Sequence, residues 1–292
     1  MDNLDSIIRS SVGTGVRIER RVPVSGGDIN RAYALFLSDG SKLFMKVNRK
    51  ENQDFFRAES EGLRAIRRTG TVRVPEVIAM GTGDNEAYLL LEHIESGMRT
   101  RRSSGKLGEA LAAMHLADTE DILPGGRFGF TDDNFIGAGI QLNEPEDSWT
   151  DFFVNKRLLP QFERAASYFS REDSRNTELF LGKIHNYLNE PAKPSLLHGD
   201  LWAGNYMIDI YGEPWLIDPA VYVGHPEADL AMTELFGGFD RAFYDAYSEA
   251  AGIEPDYKDR RDIYNLYHLL NHLNLFGAGY LGSVRSIIRR YT

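Results

Sequence analysis

Asp200, Asn205 and Asp218 are the residues of this sequence whose types and spacing could do chemistry together. They lie in Leu196-Leu197-His198-Gly199-Asp200-Leu201-Trp202-Ala203-Gly204-Asn205 and in Trp215-Leu216-Ile217-Asp218-Pro219. Moving a phosphoryl group onto a hydroxyl needs a carboxylate that orients and deprotonates the acceptor. It also needs two oxygen ligands for a divalent cation such as Mg²⁺ and a rigid frame that fixes the distances. Asp200 suits the first task, and Asn205 with Asp218 the second. Asp218 follows Asn205 by thirteen residues, and the intervening Tyr206–Ile217 reads as a hairpin turning at Tyr211-Gly212. An antiparallel pair returns its two ends to one place. The blander reading makes His198 and Asp200 ordinary loop residues, with the aspartate capping a turn. The two features together, at compatible spacing, favour the metal-phosphate reading.

Asp-x-x-x-x-Asn is also the spacing of the kinase catalytic loop, with His-Gly-Asp standing for His-Arg-Asp. On that template His198 is a structural residue bonding the loop backbone rather than the base. A phosphate-holding half should then precede this one. Lys46, in the apolar strand Leu43-Phe44-Met45-Lys46-Val47, is the candidate ammonium, although a strand lysine can also be a plain solvent-facing residue. Unpaired at an interface it would be costly, so a carboxylate of the following helix should meet it. Glu59 is the first choice, with Glu61 the alternative, because one sequence does not fix helix phase. Gly26 and Gly27, in Ser25-Gly26-Gly27-Asp28-Ile29-Asn30, offer backbone amides to phosphate oxygens, or simply a hairpin turn. By analogy alone, Glu92 and Ile94 would offer backbone groups to adenine.

The elements that must position these groups change character along the chain. Residues 4–12 read as a short amphipathic helix, followed by strands at Val16–Val24, Arg31–Leu37 and Lys42–Val47. A helix over Asp54–Arg68 and an apolar strand at Ala87–Leu91 follow. Beyond Glu92-His93-Ile94-Glu95 the pattern is helical: Lys106–His115, Trp149–Ser170, Asn176–Leu188, Arg241–Ala251 and Asp259–Phe276. Only Ser195–Leu197, Tyr206–Ile210 and Pro214–Ile217 read as strands there. This order predicts an α+β, bilobal protein-kinase-like fold, with a small β-rich N-terminal lobe and a larger, mainly helical C-terminal lobe. The division is a nucleotide-binding lobe over 1–92 and a catalytic and acceptor-binding lobe over 93–292, with a hinge at about 92–96.

The bulk numbers agree with an ordinary globular chain: 292 residues, 42% hydrophobic and 26% charged. A net charge of -10 argues against a nucleic-acid partner, which calls for a basic surface. With no cysteine, disulfides, thiolate catalysis and Cys-based metal sites are excluded. No apolar run approaches membrane-spanning length and the acidic start lacks a signal-peptide pattern, so the expectation is a cytoplasmic protein without membrane association, favoured as a monomer.

His198-Gly-Asp-Leu-Trp-Ala-Gly-Asn205, Ile217-Asp-Pro-Ala220 and Gly224-His-Pro-Glu-Ala-Asp-Leu-Ala231 resemble the fructosamine (ketosamine) kinases, themselves similar to aminoglycoside and choline phosphotransferases. Phe56-x-x-Glu59, Phe128-Gly-Phe130 with Asn134, Trp149, Arg157-Leu158-x-Pro160-Gln161 and Phe276-Gly-x-Gly-Tyr280 extend the likeness over nearly the whole chain. The resemblance implies ATP-dependent phosphorylation of a sugar hydroxyl, at the third carbon, on a ketoamine adduct of a small amine or a glycated protein lysine. It implies Asp200 as base, Asn205 and Asp218 as Mg²⁺ ligands, and Lys46 with Glu59 as the phosphate-anchoring pair. Asp229 would brace the catalytic loop. Trp202 would be a wall for the sugar, or simply a packing residue of the loop. Some relatives carry a redox-active cysteine in the phosphate loop, and this chain has none. The competing readings are a phosphotransferase for another small hydroxylated amine and a non-catalytic nucleotide-binding scaffold.

Three further signals are set aside. His268 and His272 have an i, i+4 metal-ligand spacing, but the glutamate of His-Glu-x-x-His and an obvious third ligand are lacking. The basic C-terminal segment reads as a helix docked by Val284, Ile287 and Ile288. Arg99, Arg101 and Arg102 read as a solvated loop after the connector.

Overall fold

The computed structural model describes residues 2–24, 30–83 and 85–292, so the turn carrying Gly26 and Gly27 lies outside the described residues. The amphipathic segment at the start forms α1 (Asp2–Ser11). Five antiparallel strands follow: β1 (Ile18–Val24), β2 (Arg31–Leu37) and β3 (Lys42–Arg49), then α2 (Gln53–Thr69), then β4 (Val77–Thr82) and β5 (Glu86–Glu92). Their order in the sheet is β1-β2-β3-β5-β4.

Strand periodicity explains how the sheet is covered on both faces. On β5, Leu89 and Leu91 face a core that includes Phe56, Leu63 and Ile66 of α2, spaced for one helix face. Tyr88 and Leu90 face the other way, joining Ile8 of α1, Leu35 and Met45. A strand buried on both faces reads as one apolar run, as Ala87–Leu91 does. Gly70 ends α2 in the left-handed conformation, φ 66°.

The remainder is mainly helical. It begins with α3 (Arg101–Leu116), whose N-terminus is fixed by a capping box: Ser103 N–H donates to Thr100 Oγ1 at 3.1 Å, and Thr100 N–H to Ser103 Oγ at 2.9 Å. The helix therefore starts five residues before the expected Lys106, and Arg101 and Arg102 belong to its first turn rather than to a loop. A short hairpin, β6 (Asn134–Ile136) with β7 (Gly139–Gln141), was not foreseen; strands this short give no periodic signal.

The single helix expected over Trp149–Ser170 is corrected. It is broken into α4 (Trp149–Phe152), a π-helical stretch over Phe153–Leu158, α5 (Leu159–Arg164) and a 3₁₀ turn. Pro160 lacks the amide that would continue an α-ladder, and the widened turn accommodates it. Ser170 instead caps α6 (Arg171–Lys183), accepting from Asp173 N–H at 3.2 Å, so this helix starts at Arg171 and not at Asn176.

Two small pairs build the floor of the site. In the first, β8 (Ser195–Leu197) pairs with β11 (Tyr222–Gly224), a strand the sequence did not announce. In the second, β9 (Tyr206–Ile208) pairs with β10 (Pro214–Leu216). The helices α7 (Glu227–Leu235), α8 (Arg241–Ala251), α9 (Tyr257–Phe276) and α10 (Leu281–Arg290) complete the chain. The last is docked by Val284 and Ile288, both buried, with Ile287 partly so. Among the described residues, no helix is long and apolar enough to cross a membrane.

Candidate active site

The β9–β10 hairpin turns where the sequence placed it. Asp209 Oδ1 accepts the N–H groups of Tyr211 and Glu213, both at 2.9 Å, and Gly212 takes φ 79°. Tyr206 pairs with Leu216, which brings Asn205 level with Ile217, whose N–H donates to Asn205 O at 3.0 Å. The next residue, Asp218, has φ 54° and is the only non-glycine residue with positive φ among those described. A β-unbranched aspartate tolerates that left-handed conformation, at some cost. Ala220 N–H then donates to His198 O at 2.8 Å. Both shoulders of Asp218 are thus tied to the segment 198–205.

His198 does this tying from a fully buried position. Its Nδ1 accepts from Asp200 N–H at 3.3 Å, so the ring proton lies on Nε2, which donates to Ile217 O at 2.9 Å. Burial holds its pKa below the ordinary value, keeping the ring neutral. Gly199 has φ 81°, and a Cβ there would lie 2.0 Å from Ala220 O, so no side chain fits between the two strands of the loop. Beneath them, Asp229 accepts from His198 N–H at 2.7 Å, Gly199 N–H at 2.9 Å and His115 Nε2 at 3.2 Å. Burial alone would raise its pKa, but the His115 bond and its other partners hold it below the ordinary carboxylate value.

Asp200 and Asn205 are in direct contact: Asn205 Nδ2 donates to Asp200 O at 2.8 Å and to Asp200 Oδ2 at 3.1 Å. With Nδ2 so used, the amide oxygen of Asn205 is the atom that could ligate a cation. Burial pushes the Asp200 carboxyl up to about 7 against the lowering bond from Asn205, with Asp218 and Asp229 adding to the rise. Trp202 lies on the same loop, 42% exposed, its ring spread over Gly204, where a Cβ would meet it at 2.2 Å.

From the opposite side, Lys46 of β3 reaches in. Its Nζ bonds Glu59 Oε1 at 2.7 Å and also bonds Asp218 Oδ1. Glu59, rather than Glu61, is therefore the lysine's partner on α2. Burial alone would lower the Lys46 pKa, but the Asp218 and Glu59 carboxylates outweigh it and the net direction is up. Burial pulls Glu59 upward against the effect of Lys46. The ion pair is the state we assign, because a neutral Glu59 would leave the ammonium one carboxylate in a buried site.

Glu92 ends β5, its N–H committed to Glu76 O at 2.9 Å, and Ile94 follows in the extended connector. Arg99 leaves that connector for the catalytic loop: its guanidinium donates to Ala203 O at 2.7 Å and lies 4.2 Å over the Tyr206 ring. His268 is buried and its carbonyl accepts from His272 Nδ1 at 2.8 Å, and among the described residues no group of three or more His, Cys, Asp or Glu is placed to hold a metal ion.

Sequence reasoning assigned no role to a buried network behind Asp218. Asn134 Nδ2 donates to Val221 O at 2.7 Å. Gln141 Nε2 donates to Ala220 O at 2.9 Å and to Asn134 Oδ1 at 2.7 Å, and Tyr267 O–H donates to Gln141 Oε1 at 2.7 Å. Arg157, on the π-helical stretch, is fully buried beside the Tyr222 ring at 3.9 Å and donates to Asn143 Oδ1 at 2.7 Å. Asn134 and Arg157 stood in the resembling motifs, but no spacing rule reveals a partner so distant in the chain.

Lys46, Glu59, Asp218, Asn205 and Asp200 are thus linked by direct contacts in which the lysine is paired and the Asp200 carboxyl is raised. The fructosamine kinase family model matches residues 1–292. The chain is 42% identical to a probable ketoamine kinase of Synechocystis over 97% of this chain and 94% of that one. It is 38% identical to a chloroplastic protein-ribulosamine 3-kinase of Arabidopsis thaliana over 96% of this chain and 84% of that one. A crystal structure of a candidate fructosamine-3-kinase from Thermobifida fusca superposes with a TM-score of 0.85 at 31% identity, covering 99% and 98% of the two chains. An aminoglycoside phosphotransferase crystallised with AMP-PNP and hygromycin B shares the fold alone: TM-score 0.68, 16% identity, 98% of each chain.

Proposed function

The chain belongs to the fructosamine kinase family and is an ATP-using kinase of protein-kinase-like fold, and from that premise we propose which hydroxyl it phosphorylates and with which residues. The substrate is the sugar part of a ketoamine, a fructosamine or ribulosamine formed on a small amine or a protein lysine, phosphorylated at the third carbon. The names of the relatives support this choice. Residues 1–92 serve as the nucleotide-binding part and 93–292 as the catalytic and acceptor-binding part. Action as a cytoplasmic monomer remains our expectation.

The observation that carries the reading is the meeting of Lys46, Asp218, Asn205 and Asp200 around one cleft. Asp200 orients the acceptor hydroxyl and takes its proton as that oxygen bonds to the γ-phosphorus of ATP, while the bond from that phosphorus to the bridging oxygen breaks and ADP leaves. A carboxyl raised toward neutrality is suited to holding that proton. Lys46, kept charged and aimed by Glu59, contacts the phosphates. The donor set of one carboxylate and one amide oxygen fits a hard cation, so Asp218 and Asn205 would hold Mg²⁺. The cation would neutralise phosphate charge there. Gly26 and Gly27 remain our candidates for covering the phosphates, and Glu92 O with the Ile94 backbone for adenine. Trp202, exposed beside Asp200, is placed to pack against the C–H face of a sugar ring.

Mass spectrometry of fructosylated and ribulosylated lysine after incubation with ATP tests the reading. The expected product carries a single added phosphate on the sugar. Phosphorylation of aminoglycoside or choline-like acceptors in preference to both ketoamines would overturn it, and ATP binding without acceptor-dependent ADP release would return the chain to a scaffold role.

A further inference from the structure

Glu59 and Asp218 both meet Lys46, yet they belong to different parts of the chain: Glu59 to α2, packed on the five-stranded sheet, and Asp218 to the turn after β10. The covalent chain does not set their separation, so packing must. A lysine shared by two carboxylates tolerates little error, because hydrogen bonds weaken once stretched past their normal range.

Phe55, Glu59 and Gly62 recur at i, i+4 and i+7, which places them on one stripe of α2. Both ends of that stripe are gripped from the far side. At one end, a Cβ on Gly62 would come within 3.1 Å of Pro219, so the helix lies directly on the residue that follows Asp218. At the other end, one turn before Glu59, the Phe55 ring stacks on Phe135 of β6, with centroids 4.0 Å apart and planes at 26°. Both rings are only half-buried.

The same hairpin holds the Asp218 turn. Strand alternation sends Asn134 to the face opposite Phe135. There Asn134 donates to Val221 O, and Gln141, its cross-strand partner, donates to Ala220 O and to Asn134 Oδ1. These bonds fix the carbonyls two and three residues beyond Asp218, whose φ of 54° persists only where its surroundings over-determine it. The hairpin is anchored in turn at its exit. Tyr267 O–H donates to Gln141 Oε1, and Arg157 donates to Leu142 O at 2.5 Å and to Asn143 Oδ1 at 2.7 Å.

We propose that the β6–β7 hairpin is a positioning element for the phosphoryl transfer: Phe135, through Phe55, sets the place of Glu59, while Gln141 and Asn134, through the carbonyls of Ala220 and Val221, set the place of Asp218. Both carboxylates then reach Lys46. Phe135 and Gln141 are positioning residues that act through other groups. The proposal rests on the reading of Lys46 as the phosphate contact and of Asp218 as a Mg²⁺ ligand.

Calorimetry with AMP-PNP on the full-length protein, with and without magnesium, tests this without needing the acceptor. Phe135→Ala should weaken AMP-PNP binding about tenfold through a loosened Lys46–Glu59 pair. Phe135→Tyr, which keeps the stack, should stay within about twofold of the parent. Gln141→Glu sets a carboxylate against two oxygens and should cut the gain in affinity from magnesium about tenfold, the scale for a residue supporting a metal ligand. Melting temperatures check that each variant is folded. Tyr267→Phe, which removes only the hydroxyl aimed at Gln141, replaces Gln141→Glu if that variant melts early. Unchanged affinity in folded Phe135→Ala, equal losses in Phe135→Ala and Phe135→Tyr, or an unchanged magnesium effect in the folded Gln141 or Tyr267 variant would each overturn the proposal. Asp218→Asn separates this outcome from a failure of the cation reading, since it should abolish the magnesium effect. An effect that persists there refutes the cation reading and the proposal with it. An effect lost there but unchanged in Gln141→Glu refutes the proposal alone.

Discussion

Lys46 and Asp218, 172 positions apart in the chain, share one ion pair across the cleft between β3 and the turn that follows β10. The same ammonium bonds Glu59. One cation between two carboxylates leaves a net negative charge there, a local field of the sign that the proposed divalent cation requires. Lys46 is 7% exposed, so this charge balance is little screened by water.

Replacing the lysine by methionine should expose that balance. In Lys46→Met, Glu59 and Asp218 face each other without a counter-ion, and Glu59, already pushed upward by burial, takes up a proton. We expect kcat/KM for ATP to fall by two orders of magnitude or more. Stability should drop by about 3 kcal/mol at pH 8, the usual scale for breaking a buried pair. The loss should be smaller at pH 5, where Glu59 is readily protonated. Denaturant melts at the two pH values check this; an equal loss at both would contradict the shared-ion-pair account.

Asp200→Asn keeps the shape of the loop and removes the proposed proton acceptor. Turnover should fall by roughly three orders of magnitude, the upper part of the range for general base catalysis. The nucleotide affinity, measured by calorimetry, should stay within a few-fold of the parent. Because a carboxyl whose pKa rises on folding binds more protons folded than unfolded, it favours the folded state only at low pH. Its stabilisation is complete below about 4 and is lost as pH rises through about 7. The asparagine variant should accordingly melt no lower than the parent at pH 8.

With Asp200 as the proposed base, the same carboxyl should set a pH dependence of rate. If Asp200 must be ionised to accept the hydroxyl proton, kcat/KM rises with pH up to a limb near 7 in the enzyme without a cation at the site. A cation held by Asn205 and Asp218 stabilises the ionised form and moves the limb downward. Rate profiles at low and saturating magnesium should therefore separate on the acid side only. A limb that ignores magnesium would place the titrating group elsewhere.

The legibility of this site in the sequence follows from the range of the interactions involved. The approach of Asn205 to Asp218 was readable because a hairpin of known turn chemistry lies between them, so local rules carry one residue to the other. Lys46 with Glu59 needed only the phase of one helix, which the structure settles against Glu61. Asn134, Gln141 and Tyr267 were not readable as a network, since each meets its partner through tertiary packing that leaves no periodic trace. The break at Phe153–Leu158 was missed for a different reason. Its apolar spacing continues a helix, and only the backbone consequence of Pro160 distinguishes a π turn from an α one. Helix starts slipped by five residues wherever Thr100 or Ser170 supplied a cap ahead of the apolar pattern.

Asp229 tests whether the loop beneath Asp200 is held by charge or only by shape. Its Oδ2 accepts from both His198 N–H and His115 Nε2, and its Oδ1 accepts from Gly199 N–H. An asparagine there is isosteric, but whichever way its amide turns, an NH₂ group must face a donor. Asp229→Asn should lose about 2–3 kcal/mol of stability, the scale for an unsatisfied buried group next to a charged partner. It should also lower kcat at least tenfold while KM for ATP changes less than threefold, because Lys46 and Glu59 lie on other elements. His115→Gln in the otherwise unchanged chain, which keeps a neutral donor toward Asp229, should retain most of the parent's kcat. A rise in KM for ATP with unchanged kcat in Asp229→Asn would show that the residue supports the nucleotide side rather than the loop.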